Sequence, residues 1–381
     1  MDQHALALLK AAESWDWPLA YRIKSSGGQD SKFKAIMPKL LSGFITESQS
    51  LGGTLVDQFW VVVGQCHPQL EENIKILRRI GFYSPRHSEI VLFDGVERET
   101  INFSPIFEMG AELFTHLCVA FMNPGGPKSR SGTPFSVSDF IAKDTDELLD
   151  IAASEGLGTR KQAALKALIF KRDGQSCPLT GLSFDTEDSV KPHLAHIIPN
   201  SVHNKPDTIK CIAMLAGTAV RDLVLEQLND LGNLLHIELN AHVAYDDIHW
   251  GIEALNENGV VRFSSSTYFA ITHRSPKVKY IYRRVPYKTA KGPGIIRLHD
   301  GDQIVFGGGP EAARLGPGPN PSLCNLQLAV ARVLRMSGAA DIIAQIKDDG
   351  DDSDFPHVYI ASPAFCNILT AQLQLAGGVF L

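Results

Sequence analysis

The chain has 381 residues, 44% of them hydrophobic and 20% charged, with a formal net charge of -6 and a pI near 6.1. That length buries a substantial core and leaves room for two lobes or more. The acidic balance argues against a protein that grips nucleic acid over its whole surface, which needs excess Lys and Arg, but leaves room for a local basic patch.

The six cysteines are scattered and form no CxxC pair. They read as reduced, buried thiols of an intracellular protein, cytoplasmic or nuclear. The opening MDQHALALLKAAESWDW lacks the basic lead and apolar run of a secretory signal. No uninterrupted apolar run reaches the ~18 residues of a membrane span.

In chain order, Gln3 to Ala12 has the spacing of a short helix, and Phe59-Trp60-Val61-Val62-Val63 is rich in strand formers. A helical pattern through Leu70, Ile74, Leu77 and Ile80 stops at Gly81. Strand text at 89–93 turns at Asp94-Gly95, and a helix follows over roughly 104–121. Residues 1–122 are therefore expected to form an α/β region of unknown type. The turn-rich NPGGPKSRSGTP opens a linker or loop at 123–142. Helices are predicted within 143–170, and strands in VVRFSSS, YFAITH and VKYIYRRV across 260–285. A Gly/Pro-rich passage carries the short strand texts IIRL and IVFGG and ends in GPGPNP. Leu323, Leu326, Val330, Val333 and Leu334 then give a helix one buried face. Gly307, Gly308 and Gly309 are not followed by the helix with a Lys-Ser/Thr ending that a phosphate loop requires. The acidic run at 348–354 is expected as a solvated loop, within a tail, 346–381, that packs on the core.

The chemistry concentrates between Phe170 and Glu253, where His196, Asn233 and His242 recur inside apolar text. An imidazole near neutrality takes a proton from water or substrate, or binds a divalent metal through its neutral nitrogen. His196 precedes Ile197-Ile198-Pro199, so its ring sits at a strand end. Asn233 stands at a turn before a strand, placed to tie the loop together. On a helix, His242 and Asp246 share a face, with Tyr245 beside them.

The order of these parts resembles the HNH endonuclease family, in its fungal-type branch. The pieces are Arg172-Asp173-Gly174, Cys177-Pro178-Leu179-Thr180-Gly181, Ala195-His196-Ile197-Ile198-Pro199, Asn229 with Asn233, and His242-Val243-Ala244-Tyr245-Asp246. The resemblance implies an α+β, mixed multi-lobe chain with a central ββα-metal module, an HNH-like domain over 143–345 with a β-rich insertion and a C-terminal helix. It implies His196 as general base, Asn233 as holder of the loop, and His242 as ligand to one divalent metal, Mg²⁺, Mn²⁺ or Zn²⁺, with Asp246 as ligand or support. One departure matters: many members carry Asp or His just before the catalytic His, and here that position is Ala195. His193 and Asp246 are the residues expected to replace it.

The stretch HRSPKVKYIYRRVPYKTAK supplies Lys277, Lys279, Arg283 and Arg284, interleaved with tyrosines, as a candidate surface for nucleic acid or another anion. Three functions follow as expectations. The first is a divalent-metal-dependent phosphodiester hydrolase acting on DNA. The second is an enzyme reusing this scaffold, without metal, for acid/base chemistry on a small organic substrate, such as cyclisation, isomerisation or hydration in a biosynthetic pathway. The third is a non-catalytic interaction module.

Overall fold

The computed structural model describes residues 1–14, 29–122, 143–154, 163–184, 190–202, 205–256, 259–260, 278–285 and 296–344. It is a mixed α+β chain, rich in helices, with two small open antiparallel sheets. The elements in order are α1 (Asp2–Ala12), α2 (Gln29–Leu51), α3 (Leu55–Gln65), α4 (Pro68–Leu77), α5 (Pro85–Leu92) and α6 (Ser104–Leu113). Next come α7 (Thr145–Ser154), α8 (Ala163–Asp173), β1 (Pro192–His196), α9 (Pro206–Ala216), α10 (Thr218–Gln227), β2 (Leu234–Glu238) and α11 (Leu239–Asp246). β3 (Trp250–Asn256), β4 (Gly259–Val260), β5 (Val278–Arg284), β6 (Gln303–Ile304), α12 (Ala312–Leu315) and α13 (Pro321–Ser337) complete the set.

The chain divides into two compact units, one made of Met1–Met122, Lys205–Arg221 and Arg332–Leu381, the other of Asn123–Asn204 and Asp222–Ala331. The linker text at 123–142, the strand texts VVRFSSS and YFAITH beyond Val260, and the tail at 346–381 lie outside the described residues.

In the first unit, the described residues up to Met122 form helices joined by turns and loops, with no strand among them. The strand expected at 59–63 lies inside α3, because Leu55, Phe59, Trp60 and Val63 are spaced to bury one helical face. The strand expected at 89–93 overlaps α5, which starts at Pro85 and is capped by Ser84 accepting from His87 N–H at 3.2 Å. Burial on one helical face overrode the preference of the valines for strands. The buried Asn73 amide ties α4 to the C-terminal end of α5, donating to Leu92 O at 2.8 Å and Asp94 O at 2.9 Å. Helix α6 continues through a π-helical turn, Phe114–Val119, to Met122. This stretch is long and apolar enough by composition to cross a membrane, but most of it is buried inside its own unit.

In the second unit, β1 and β2 pair antiparallel, with His193 opposite Ile237 and His196 opposite Leu234. Helix α8 packs on this pair through Leu165 and Ile169, which meet Leu234 and Leu194. The larger sheet has the order β4-β3-β5-β6. Where the short β4 ends, Asn325 of α13 stands in for a strand, accepting from Ala254 N–H at 2.8 Å and donating to Ala254 O at 3.1 Å. Trp250 opens β3 and donates from its indole to Ala241 O at 3.0 Å, joining that sheet to α11.

The segment 307–311 closes the C-terminus of α8, where helical carbonyls lack partners. Gly309 N–H donates to Arg172 O and Glu311 N–H to Lys171 O, both at 2.9 Å. A Cβ on Gly309 would lie 2.3 Å from Lys171 O, so only glycine fits there.

Candidate functional site

Asn233 links the two strands at the site. Its Oδ1 accepts from Ile198 N–H at 2.7 Å, and its Nδ2 donates to Ile198 O and Leu228 O, each at 2.9 Å. Its own carbonyl accepts from Ile197 N–H at 2.9 Å. Both amide protons and the amide oxygen are engaged, and the side chain is fully buried. Asn233 therefore positions the segment following His196 and takes no part in contacting a ligand.

Arg172 reinforces the same region from α8. It is fully buried, pairs with Asp173 through Nε at 2.9 Å and Nη2 at 2.7 Å, and donates to Leu231 O at 2.7 Å and Leu234 O at 3.1 Å. A buried guanidinium is tolerated here because a carboxylate and two carbonyls meet its donors.

Strand alternation sends His193 and His196 to opposite faces of β1. Both rings nevertheless sense His242 on α11. The His193 and His242 ring centroids are 5.9 Å apart, and His242 Nε2 lies 3.6 Å from Asp246 Oδ2. The Nε2 of His196 is sealed from solvent and has no hydrogen-bond partner among the described residues. Burial, with a smaller contribution from His242, pulls the His196 pKa from 6.5 to about 4. Burial first, then His242, lowers that of His193, and burial alone lowers that of His242. All three rings are driven toward the neutral form, which is competent to accept a proton.

Tyr245 stands apart from this group. It is buried against Trp250, at a ring-centroid distance of 4.7 Å, and burial raises its phenol well above the ordinary range. It serves the core as a packing residue.

Three neighbours escaped the sequence reading. Glu238 is buried and caps α11, accepting from Ala241 N–H at 3.2 Å and Asn240 Nδ2 at 2.7 Å, while its charge acts on His193. His236 is fully desolvated against Phe170, at 4.4 Å between centroids, with its pKa pulled to about 3 by burial, then by Lys166 and Arg172. Lys166, one turn before Phe170 on α8, is half-buried, and burial lowers its own pKa. Glu238 had a signal, since it directly precedes a helical pattern as a capping carboxylate would. The other two had none.

The donor set does not fit a resident metal ion. Ala195 is fully buried and brings no donor. Among the described residues no group of three or more His, Cys, Asp or Glu side chains is placed to hold one ion. The expected set of His193, His242 and Asp246 thus supplies a histidine pair and a neighbouring carboxylate, without closing around a common point.

The basic surface is also reduced. Lys277 lies outside the described residues, and Lys279 and Arg284 are exposed on β5. Arg283 is bound to Glu253, Nε to Oε2 at 2.7 Å and Nη2 to Oε2 at 2.6 Å, with Asp300 at 3.6 Å. Tyr280 and Tyr282 are buried, so their faces are closed to bases. Lys279 and Arg284 remain exposed, although Asp300 also accepts from the Arg284 N–H at 2.8 Å.

Comparison of the chain with protein-family models, with curated proteins and with solved structures finds no match.

Proposed function

We propose that the β1–β2–α11 region is a general-base catalytic centre on an HNH-like scaffold, acting without metal on a small organic substrate. The observation that carries this reading is His196, a neutral imidazole whose water-shielded Nε2 has no partner among the described residues, beside His242, where no three-donor metal set assembles among those residues. His196 accepts the substrate proton at Nε2 in a step that develops carbanion or alkoxide character, the demand common to isomerisation, cyclisation and hydration. His242, with Asp246 one helical turn away, is the second proton-handling group. Asp246 offsets the positive charge His242 gains on protonation. Asn233 keeps the chain after His196 in place.

Phosphodiester hydrolysis of DNA with a divalent metal is the second reading. A specific observation favours it: two antiparallel strands, an asparagine clamp and a helix-borne histidine stand in the order the HNH resemblance implies.

One experiment separates the two. Wild type and His196→Ala are assayed for turnover of enolisable ketones and activated esters with EDTA present, and for plasmid cleavage with Mg²⁺, Mn²⁺ or Zn²⁺. The metal-free reading expects turnover that survives EDTA and is lost in the variant. Plasmid cleavage that needs added metal and disappears in His196→Ala would overturn it in favour of the nuclease.

A further inference from the structure

The second unit contains a groove of about 430 Å³ that His193, His196 and His242 do not line. Its size falls in the range of small-molecule sites, ~300–1,000 Å³, which are mostly apolar with a few placed polar groups. Leu149 of α7, Leu231, Val278 of β5 and Leu315 of α12 supply apolar walls, and a rigid edge runs from Pro317 to Pro321. At one end, the Gln227 and Asn320 amides are bonded to each other at 2.9 Å, beside Asp230. The shape is held by backbone contacts: Asn320 N–H donates to Gly232 O at 2.7 Å, and Tyr280 donates its hydroxyl to Pro319 O.

Charge decides what fits. Among the described residues the one basic side chain lining the groove, Arg314, is ion-paired with Asp146, so it is poorly placed to receive an anion. Asp230 accepts from Gly232 N–H at 2.8 Å through Oδ1 and makes no ion pair among the described residues. The groove therefore combines apolar walls with an exposed carboxylate, Asp230, that has no ion-pair partner among the described residues.

We propose that this groove binds a small organic amine, its alkyl or aryl body along the leucines and prolines and its ammonium against Asp230. This is a ligand site separate from the proposed catalytic centre. Its failure would leave the reading of His196 untouched.

The test is ligand-observed NMR titration of the full chain at low ionic strength with phenethylamine, phenethyl alcohol and phenylacetate, which share one skeleton and differ in charge. The amine should bind about tenfold more tightly than the acid, with the alcohol between them. Asp230→Asn keeps an oxygen for the Gly232 N–H while removing the charge, and should erase the amine's advantage. His196→Ala should leave it intact. Equal binding of the three probes, preference for the acid, or an amine preference that survives Asp230→Asn would each overturn the proposal. The wild-type series stands by itself if the variant folds poorly.

Discussion

Replacing Asn233 by Ala removes three hydrogen bonds and leaves Ile198 N–H, Ile198 O and Leu228 O to find other partners. Buried groups stripped in this way cost about 2–4 kcal/mol together, a drop readable in chemical denaturation. Asn233→Asp keeps the acceptor for Ile198 N–H and loses both donors, so it should also destabilise.

His236 gives a second prediction at this scale. Its folded pKa is about 3 against 6.5 for an ordinary histidine, so as the pH falls the unfolded chain takes up a proton that the folded chain refuses. Stability is therefore full above pH 6.5 and declines as the pH drops from there toward 3. Thermal melts across that window should show the decline flattened in His236→Phe, which keeps a ring beside Phe170. For the catalysis proposed above, the corresponding statement concerns His196. Its neutral form dominates down to about pH 4, so kcat/KM should stay level from neutrality through mild acid and fall only as that value is approached. The side chains at issue were unequally visible in sequence. His196, Asn233 and His242 stood out as polar residues in apolar text. His236 gave no signal and Arg172 entered only as part of the family resemblance, because the burial of both arises from contacts with residues distant along the chain.

Among the elements, β5 and α13 were legible because strand alternation and helical spacing each repeat over several residues. Helix α3 was misread because its text is valine-rich, and a β-branched run argues for a strand until the burial spacing from Leu55 to Val63 is weighed. The task the glycines at 307–309 perform, covering the end of α8, depends on a segment more than a hundred residues earlier and has no signature in their own text. Gly309→Ala should drive a methyl group into Lys171 O and lift the covering segment. A loss of about 2 kcal/mol or more is expected in denaturant unfolding, with Gly308→Ala, whose nearest contact is 3.4 Å, serving as the milder control.

For the whole molecule, connectivity is the decisive fact. Between β1 and β2, the strands that carry the candidate site, the chain leaves the second unit and contributes Lys205–Arg221 to the first. The inner face of α9, with Cys211, Ile212 and Leu215 all fully buried, packs on α2 and the π-helical turn. A fragment of residues 123–331 would expose that face and should aggregate. Replacing 205–221 in the fragment with a Gly/Ser linker should restore a soluble species, as judged by size-exclusion chromatography. Sequence composition placed a boundary near residue 123 but carried no sign of this excursion, because α9 has the amphipathic pattern of any core helix.

Arg172 joins parts of the second unit that are far apart in the chain: the Leu231–Leu234 turn through its guanidinium, Gly309 through its carbonyl, and Gly307 through its partner Asp173. Segments fastened to one buried cation open together or not at all. In native-state hydrogen exchange, the amides of Ile197, Ile198, Gly307 and Gly309 should therefore share a single opening free energy, and Arg172→Met should lower all four by the same amount.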